Sequence, residues 1–402
     1  MWQLLRTNHD LRALFLAQVV SYTGDWLTFV AIAGMVDEAT GSPFLVALAY
    51  VAFTLPAFLI SPLAGAVVDR VDRRQLLIVV SMAQALCAVG LLTASLDRVW
   101  PLFLFQGVIS ALAAFVKPAI EAGVPNITRT PEELQQANAL FGSTWGVMLA
   151  VGAGLGGVVS EVFGRSVAFT ADGMSFLVAL GLFWIVRRPL QERDRHERPR
   201  LRPIADIGEV TRHARHDPVL LALITSKATF GIGAAAVSQL PVLVTSVFGW
   251  GDGGTGLLLA ARGVGSGLGP LIASRFVRGD LQKVLRVCGL AGLSFTVCYI
   301  GLAWSPGIVV AAVFVFAGHL GGGAQWTLST YGLQVRTPDH IRGRILAGDF
   351  ALVTLVMSAA GLLAGGLSEV VDVRWTITIF GGGATVAALA YLTWTRRIIR
   401  YA

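Results

Sequence analysis

Residues 65–74 read GAVVDRVDRR, a compact run of charge between two long apolar stretches at 44–68 and 76–95. Each stretch is about as long as a helix must be to cross the ~30 Å hydrocarbon core of a bilayer, which takes roughly 20 apolar residues. In lipid, only a helix or a closed barrel satisfies every backbone hydrogen bond, and these stretches lack the alternation of a barrel strand. The sequence around residue 70 therefore predicts two transmembrane helices joined by a short charged loop.

The same pattern recurs along all 402 residues, of which 55% are hydrophobic and only 14% charged, with a mean hydropathy of +0.69. An average soluble domain is about 25% charged, so this chain has too little charge to cover a surface that faces water. It is therefore predicted to be an all-α membrane protein. The apolar runs predict twelve transmembrane spans, at 11–36, 44–68, 76–95, 101–124, 139–160, 167–186, 219–247, 255–277, 284–304, 307–333, 346–368 and 374–395.

Basic residues are concentrated in alternate loops. Most of the 31 Lys and Arg residues lie in the N-terminal segment, in loops after even-numbered spans, or after the last span, whereas the other loops hold Arg98, Arg165 and Arg374. The positive-inside rule therefore predicts that both termini are cytoplasmic, in an inner or plasma membrane. Because the rule also accounts for the net charge of +7, no nucleic-acid partner is expected.

The sequence carries no motif for the common membrane-associated enzymes. It has no G-x-x-x-x-G-K-[ST], H-E-x-x-H, G-x-S-x-G or Cys-x-x-Cys, so neither ATP hydrolysis nor catalysis is predicted, and no metal or cofactor is expected. Cys87, Cys288 and Cys298 all fall inside apolar runs, which argues against a disulfide framework.

The two halves of the chain are related by an internal repeat. Residues 62–70 align with residues 270–278 at an offset of 208, and the pair His9-Asp10 recurs as His216-Asp217 at an offset of 207. An even number of spans separates the copies, so both have the same orientation, as in transporters that rock one half against the other. The predicted domains are a six-helix bundle at 1–187, a cytoplasmic linker at 188–217 and a second six-helix bundle at 218–402.

Residues 65–74 resemble the G-x-x-x-D-R-x-G-R-R signature of the major facilitator superfamily, with Asp72 where the family usually has Gly. The resemblance covers essentially the whole chain and implies two pseudo-symmetric six-helix bundles. In the family, the signature Asp engages the start of a helix in the other half, where unpaired N–H groups favour a carboxylate. The resemblance thus implies a conformational latch formed by Gly65, Asp69, Arg70, Arg73 and Arg74.

The fifth span contains residues 152–157, Gly-Ala-Gly-Leu-Gly-Gly, which are similar to the G-P-x-x-G-G motif of the exporter branch with Ala153 in place of Pro. No strand precedes this string, so it does not indicate a dinucleotide-binding loop. Residues 361–366 repeat the arrangement in the eleventh span. Small residues allow helices to approach closely, so helix packing is predicted through Gly152, Gly154, Gly156 and Gly157.

The fourth span adds a second resemblance. Residues 115–119, Phe-Val-Lys-Pro-Ala, and the following Pro125 are similar to the branch that contains proton-linked multidrug exporters and enterobactin-type siderophore exporters. Many antiporters have an Arg three residues before the position of Gln106, and this chain has Phe103 there. These motifs imply a fold more strongly than they imply a substrate.

An ionisable side chain near the bilayer centre raises the free energy of membrane insertion by about 2.5–3.5 kcal/mol, so each one is expected to have a structural or functional role. Asp25 lies 14 residues past Leu11, roughly 21 Å along the first helix and near the middle of the bilayer. A carboxyl group there can exchange a proton near neutral pH, and the exporter branch commonly carries an acid in this Gly-Asp context. Asp25 is therefore the candidate for proton coupling. A structural hydrogen bond to a neighbouring helix is the alternative.

Other charged and aromatic residues in the spans are candidates for contact with substrate. Lys117 and Glu121, four residues apart, are expected to pair mainly for structural reasons. Lys227, Arg262 and His319 lie deeper in the spans of the second half, and they suit an anionic substrate or a charge relay to Asp25. Alternatively, Arg262 binds backbone carbonyls. Asp172 and Asp349 are interpreted as groups at the rims of spans, with a cytoplasmic gate as the alternative for Asp349. The candidates for the substrate cavity are Trp26, Lys117, Glu121, Trp145, Lys227, Arg262, His319 and Trp326.

These features together predict a secondary active transporter that exports drug-like or siderophore-like small molecules in exchange for protons. An importer of a small metabolite and a receptor or scaffold on the same fold remain as alternatives, the first because the fifth-span motif lacks its Pro. The expected partners are a small-molecule substrate, protons and the lipid bilayer. We expect the protein to act as a monomer.

Overall fold

The computed structural model describes residues 2–68, 70–191, 216–277, 280–337 and 339–398. In these residues the backbone is almost entirely helical. The helices are α1 Trp2–Thr7, α2 His9–Thr40, α3 Pro43–Val68, α4 Arg73–Leu91, α5 Trp100–Ile127, α6 Pro131–Phe163, α7 Arg165–Trp184, α8 Pro218–Gly233, α9 Ala235–Ser238, α10 Leu240–Ser246, α11 Asp252–Val277, α12 Leu281–Ala303, α13 Ile308–Arg336, α14 Asp339–Ser368 and α15 Val373–Ile398.

Among the described residues, twelve stretches of helix are long and apolar enough to cross a membrane, which confirms the predicted fold class. They are α2 to α7, the group α8–α10, and α11 to α15. Several helices extend beyond the predicted spans because their polar first turns are capped. Helix α6 begins at Pro131, where Thr130 Oγ1 accepts the Glu133 N–H at 3.2 Å and the Glu133 carboxylate accepts the Arg129 N–H at 2.8 Å.

The seventh span differs from the single helix predicted at 219–247, because it consists of three pieces. Helix α8 ends at Gly233, and Pro241 is among the first residues of α10. Gly is a weak helix former, and Pro is tolerated at the start of a helix but not in its interior. These two residues therefore account for the interruptions between α8 and α10.

The contacts of the chain divide it into two compact units. The first unit contains Met1–Thr40 and Ala52–Leu201, and the second contains Gly41–Val51 and Arg202–Ala402. The first residues of α3 thus pack with the second unit, a grouping that the sequence did not predict. The linker predicted at 188–217 lies mostly outside the described residues.

Each unit has an apolar core built from buried aliphatic and aromatic side chains. Leu11, Leu77 and Phe183 belong to the core of the first unit, and Leu220 and Leu285 to that of the second. The three cysteines are free: Cys288 is buried in the core of the second unit, whereas Cys87 on α4 and Cys298 on α12 are partly exposed.

Two glycines of the fifth span bring α6 into close contact with α2. A Cβ at Gly152 would lie 2.7 Å from the Thr23 carbonyl oxygen, and one at Gly156 would lie 2.7 Å from Leu27 Cα. Real Cβ atoms do not approach backbone atoms this closely, so neither position has room for a side chain. Gly157 is buried and Gly154 is partly exposed.

Candidate functional site

Asp25 lies in the middle of the 32-residue helix α2, and a second carboxyl group, that of Asp172 on α7, lies next to it. A Cβ at Gly24 would collide with Asp172 Oδ1 and Ser175 Oγ, so α7 presses these two side chains directly against the residue before Asp25. The charge of Asp172 acts on Asp25 through space. The first unit thus places two carboxyl groups close enough to interact electrostatically within its helices.

Asp172 is only 1% exposed, which differs from its interpretation as a rim group. The reason is that α7 packs along α2, so that the inner face of α7 is covered. Ser175 Oγ donates a hydrogen bond to Asp172 Oδ1 at 3.3 Å. Among the residues that the structure describes, no Lys, Arg or His forms an ion pair with Asp25 or Asp172.

An aromatic cluster adjoins the carboxyl pair. Trp26, which follows Asp25, packs against Phe53 with a ring separation of 5.0 Å and against Trp145 with a separation of 6.1 Å. Phe29 completes the group at 5.0 Å from Phe53. Trp26 is buried, whereas Trp145 is 46% exposed. Of the predicted cavity residues in the first unit, Trp26 and Trp145 are therefore brought together.

Lys117 and Glu121 form the pair expected from their spacing along α5. Their charged atoms are 3.8 Å apart, and both side chains are about two-thirds exposed, at 66% and 62%. An exposed pair of this kind contributes at most about 0.5 kcal/mol to helix stability. Glu121 also interacts electrostatically with Tyr22, which in turn interacts with Asp25.

In the second unit, Lys227 on α8 forms a buried ion pair with Asp349 on α14, and both side chains are 3% exposed. Lys227 Nζ also donates to Thr330 Oγ1 at 2.8 Å and lies 5.1 Å from the centroid of the Trp326 ring. The sequence interprets Asp349 as a rim group about one turn into the eleventh span, and the membrane-length stretch of α14 is Ile345–Ser368. Asp349 is nevertheless buried, because its carboxylate packs against Lys227 on α8.

His319 and Arg262 form a second buried group in this unit. The rings of His319 and Phe295 are 5.2 Å apart, and those of His319 and Tyr299 are 5.7 Å apart. His319 Nδ1 lies 3.0 Å from the Val315 carbonyl oxygen, which can only accept, so this nitrogen carries the proton. Arg262 is 3% exposed and acts electrostatically on both His319 and Tyr299.

The arginines of the predicted latch bind backbone carbonyls of the first unit: Arg73 those of α5 and of the segment after α7, and Arg74 those at the end of α7. Arg73 Nη1 donates to the carbonyl oxygens of Ala122 and Leu190, each at 2.8 Å, and Arg74 donates to those of Phe183 and Trp184. Carbonyls near helix C-termini lack partners within their own helix, which makes them natural acceptors for guanidinium groups.

Asp72, the residue that departs from the family signature, caps α4. Its carboxylate accepts the Gln75 N–H at 2.8 Å, so Asp at this position stabilises the start of the helix. Gly65 lies in the last turn of α3, and Arg70 is exposed in the turn that follows. Asp69 lies outside the described residues.

Sequence reasoning missed Asp10 as a structural acceptor at the same end of the first unit. Its carboxylate accepts the backbone N–H groups of Arg187, at 2.8 Å, and Arg188, at 3.3 Å, just beyond the end of α7. The recurrence of His9-Asp10 as His216-Asp217 was the signal that could have identified it. Among the described residues, no group of three His, Cys, Asp or Glu side chains is arranged to hold a metal ion.

Comparison with known proteins places the chain among membrane transporters. Residues 2–399 match the profile of a family described as transmembrane secretion effector. An uncharacterised MFS-type transporter, YfiS of Bacillus subtilis, is 25% identical, and the match covers 94% of this chain and 91% of that protein. The enterobactin exporter EntS of Citrobacter koseri is 26% identical, with 96% and 92% covered.

Solved structures share the fold at low sequence identity. A bacterial homologue of the human lysosomal transporter Spinster superimposes with a TM-score of 0.74 at 16% identity, and 96% of each chain is covered. The nucleoside transporter NupG gives a TM-score of 0.71 at 13% identity, with 96% of this chain and 98% of that chain covered.

Proposed function

Because the chain belongs to the transmembrane secretion effector family of the major facilitator superfamily, we propose that it is a proton-coupled exporter of siderophore-like or drug-like small molecules. It works by alternating access, with both termini in the cytoplasm. Three independent features support this proposal: the names of its relatives, the distribution of basic loops, and the carboxyl pair of the first unit.

The relatives support export as the direction. Several enterobactin exporters match 85–97% of this chain, at 24–27% identity. A siderophore leaves the cell without its metal as a polar, amphiphilic molecule, so a carrier for it needs both aromatic surface and polar groups. The contact between Trp26 and Trp145 beside Asp25 offers that combination.

The single observation that carries proton coupling is the placement of Asp172 against Asp25. Two ionised carboxylates side by side in a weakly polar interior repel each other strongly, so a pair that holds one proton is favoured over a pair that holds none. A proton taken up on one side of the membrane and released on the other changes the charge of the unit by one. That change gives the two access states different energies, which is the requirement for coupling.

The cavity candidates of the second half have a different role in this scheme. Lys227 is neutralised by Asp349, so it presents no net charge to a substrate while the pair is intact. Arg262 and His319 lie together among aromatic rings and form the proposed polar part of the second unit's binding surface. Trp326, beside Lys227, links this surface to the ion pair.

The test uses everted membrane vesicles with an acid lumen, and two labelled probes: ethidium and an iron-free siderophore of the enterobactin type. The wild-type protein should accumulate at least one probe in the vesicles, and a protonophore should abolish accumulation. Asp25→Asn should reduce gradient-driven accumulation to background while leaving counterflow of the same probe intact, because only the coupling step needs the proton.

Asp97→Asn serves as the matched control, since Asp97 is an exposed acid in a loop of the same unit. It should transport like the wild type. Normal coupling in Asp25→Asn would remove Asp25 from the mechanism. Accumulation only in right-side-out vesicles would identify an importer instead, and accumulation of neither probe in either orientation would contradict the proposed substrate class.

A further inference from the structure

A basic pocket lies at one end of the first unit, where α2 and α4 begin and α7 ends. It has a volume of about 430 Å³. Its lining is contributed by His9, Arg74, Trp184, Ile185, Val186 and Arg187. Three of these six side chains are basic or can become so, and none is acidic.

The two arginines in this pocket are available to a ligand in different ways. Arg74 Nε donates to the Phe183 carbonyl oxygen at 3.3 Å and Nη2 donates to that of Trp184, which fixes the guanidinium against the pocket wall. Within the described part of the chain, Arg74 Nη1 and the whole Arg187 guanidinium form no hydrogen bond or ion pair. Both guanidinium groups therefore keep donors for an incoming anion.

Nearby acids do not neutralise the pocket. The carboxylate of Asp10 accepts the backbone N–H groups of Arg187 and Arg188, and its ion pair is with Arg188 Nε, at 3.9 Å. Asp72 uses its carboxylate to cap α4. Neither acid lines the pocket, so among the described residues its lining carries the positive charge of Arg74 and Arg187 without an acidic side chain.

The position of the pocket is that of a lipid headgroup. Trp184 is the last residue of α7 and is 63% exposed, which is typical of the aromatic residues found where spans meet the membrane surface. Ile185 is 44% exposed beside it. A ligand in this pocket would therefore have basic groups around its polar end and apolar side chains around the part that enters the bilayer.

The internal repeat supplies a comparison. A pocket of about 350 Å³ at the corresponding place in the second unit is lined by His216, Asp217, Pro218 and Arg336. There Arg336 Nε binds Asp217 Oδ2 at 2.7 Å, so the arginine among the described lining residues is already paired with a carboxylate. Of the residues that the structure describes, the lining is thus basic in one copy and contains an internal ion pair in the other.

We propose that the pocket formed by His9, Arg74 and Arg187 binds the phosphate headgroup of an anionic phospholipid. Guanidinium groups bind phosphate through paired N–H donors, and basic pockets at the ends of spans attract anionic lipids. The proposal depends on the protein being embedded in a membrane but not on the direction of transport or on proton coupling. The bound lipid would hold the ends of α2, α4 and α7 together.

The experiment is native mass spectrometry of the full-length protein in detergent, titrated with phosphatidylglycerol or phosphatidylcholine. Phosphatidylglycerol should bind more tightly. Arg74→Gln combined with Arg187→Gln should weaken its binding about 30-fold, at about 1 kcal/mol per basic residue near a membrane surface. Arg187→Gln alone should weaken it about 5-fold by the same reasoning. The Arg187 side chain forms no hydrogen bond or ion pair with the described residues, so this single variant is the milder structural change.

Arg396→Gln combined with Arg397→Gln is the matched control, because it removes the same charge from exposed positions at the end of α15. It should leave phosphatidylglycerol binding within about 2-fold of the wild type. Equal binding of the two lipids, or equal losses in both double variants, would overturn the proposal. Displacement of phosphatidylglycerol by excess inorganic phosphate would show that the site is for free phosphate and would overturn the assignment to a lipid.

Discussion

Each unit contains a pair of charged side chains from two packed helices, but the pairs are of opposite kinds. In the first unit, Asp25 and Asp172 are two acids with no cation beside them among the described residues. In the second unit, Lys227 and Asp349 are opposite charges in direct contact. Two ionised acids carry a net negative charge that falls by one with each proton they take up, whereas an ion pair is neutral as it stands.

In the proposed function the two pairs have different roles. The acid pair is proposed to change its charge during the transport cycle, because the uptake of one proton changes the charge of the pair. The ion pair is expected to keep its charge and to hold α8 against α14. Four substitutions test how far the two units differ.

Lys227→Met should lower the free energy of unfolding by about 3–5 kcal/mol, because it leaves the Asp349 carboxylate buried without its partner. Reversible unfolding in mixed micelles, followed by tryptophan fluorescence, measures the change. Lys227→Met with Asp349→Leu is the control. It should be close to the wild type, since the two charges are removed together. A single variant as stable as the double one would mean that the ion pair has no structural role.

Gly152→Ala should lower the free energy of unfolding by about 1–3 kcal/mol, because the new methyl group would overlap the backbone of Thr23. Gly361 occupies the same place in the second copy, and a Cβ there would lie 3.5 Å from Ser238 Oγ, an ordinary contact. Gly361→Ala should therefore change stability by less than about 0.5 kcal/mol. Equal effects of the two variants, measured by unfolding in mixed micelles, would contradict the asymmetric packing.

Asp217→Ala should lower the free energy of unfolding by about 1 kcal/mol at pH 7, because Asp217 caps α8 and binds Arg336. Burial raises the pKa of Asp217, but the hydrogen bond and charge of Arg336 and the backbone N–H groups of Leu220 and Val219 outweigh burial. The net effect is a lowered pKa.

A carboxyl group whose pKa is lowered by folding stabilises the folded state at every pH above the pKa that it has in the unfolded state. This stabilisation is lost as the pH falls through the pKa that the group has in the folded state. The difference between wild type and Asp217→Ala should therefore be full at neutral pH and shrink below about pH 4. Asp217→Asn, which keeps a capping oxygen, should be less destabilised than Asp217→Ala. A pH-independent difference would show that the charge of Asp217 is not involved.

Asp172→Asn should change the free energy of unfolding by less than about 1 kcal/mol, because it leaves no buried cation without its partner among the described residues. This small change contrasts with the large loss expected for Lys227→Met. The same variant should alter the pH dependence of transport in everted vesicles. A loss of several kcal/mol would reveal a hidden cationic partner of Asp172 and would remove the acid pair from the mechanism.

The spans could be predicted because hydropathy and loop charge are local properties of the chain. Residues 65–74 and 152–157 were informative for the same reason, since each motif lies within one loop or one helix. The three-part seventh span was not predicted, although Gly233 and Pro241 marked its interruptions. A hydropathy average over a window does not detect a single residue of low helix propensity inside an apolar run.

The pairings of Asp25 with Asp172 and of Lys227 with Asp349 were not predicted, because they join helices that are far apart in sequence. The signal available for the second pair was that Lys227 and Asp349 are opposite charges inside apolar runs, where an unpaired charge is costly.

The distribution of the cysteines has a practical consequence for spectroscopy. Cys288 is enclosed by the core of the second unit, which leaves one partly exposed thiol on α4 and one on α12, each in a different unit. Spin labels attached to Cys87 and Cys298 would therefore form a reporter pair in the unaltered protein. Electron–electron distance measurements on that pair would follow the working cycle without a single engineered cysteine.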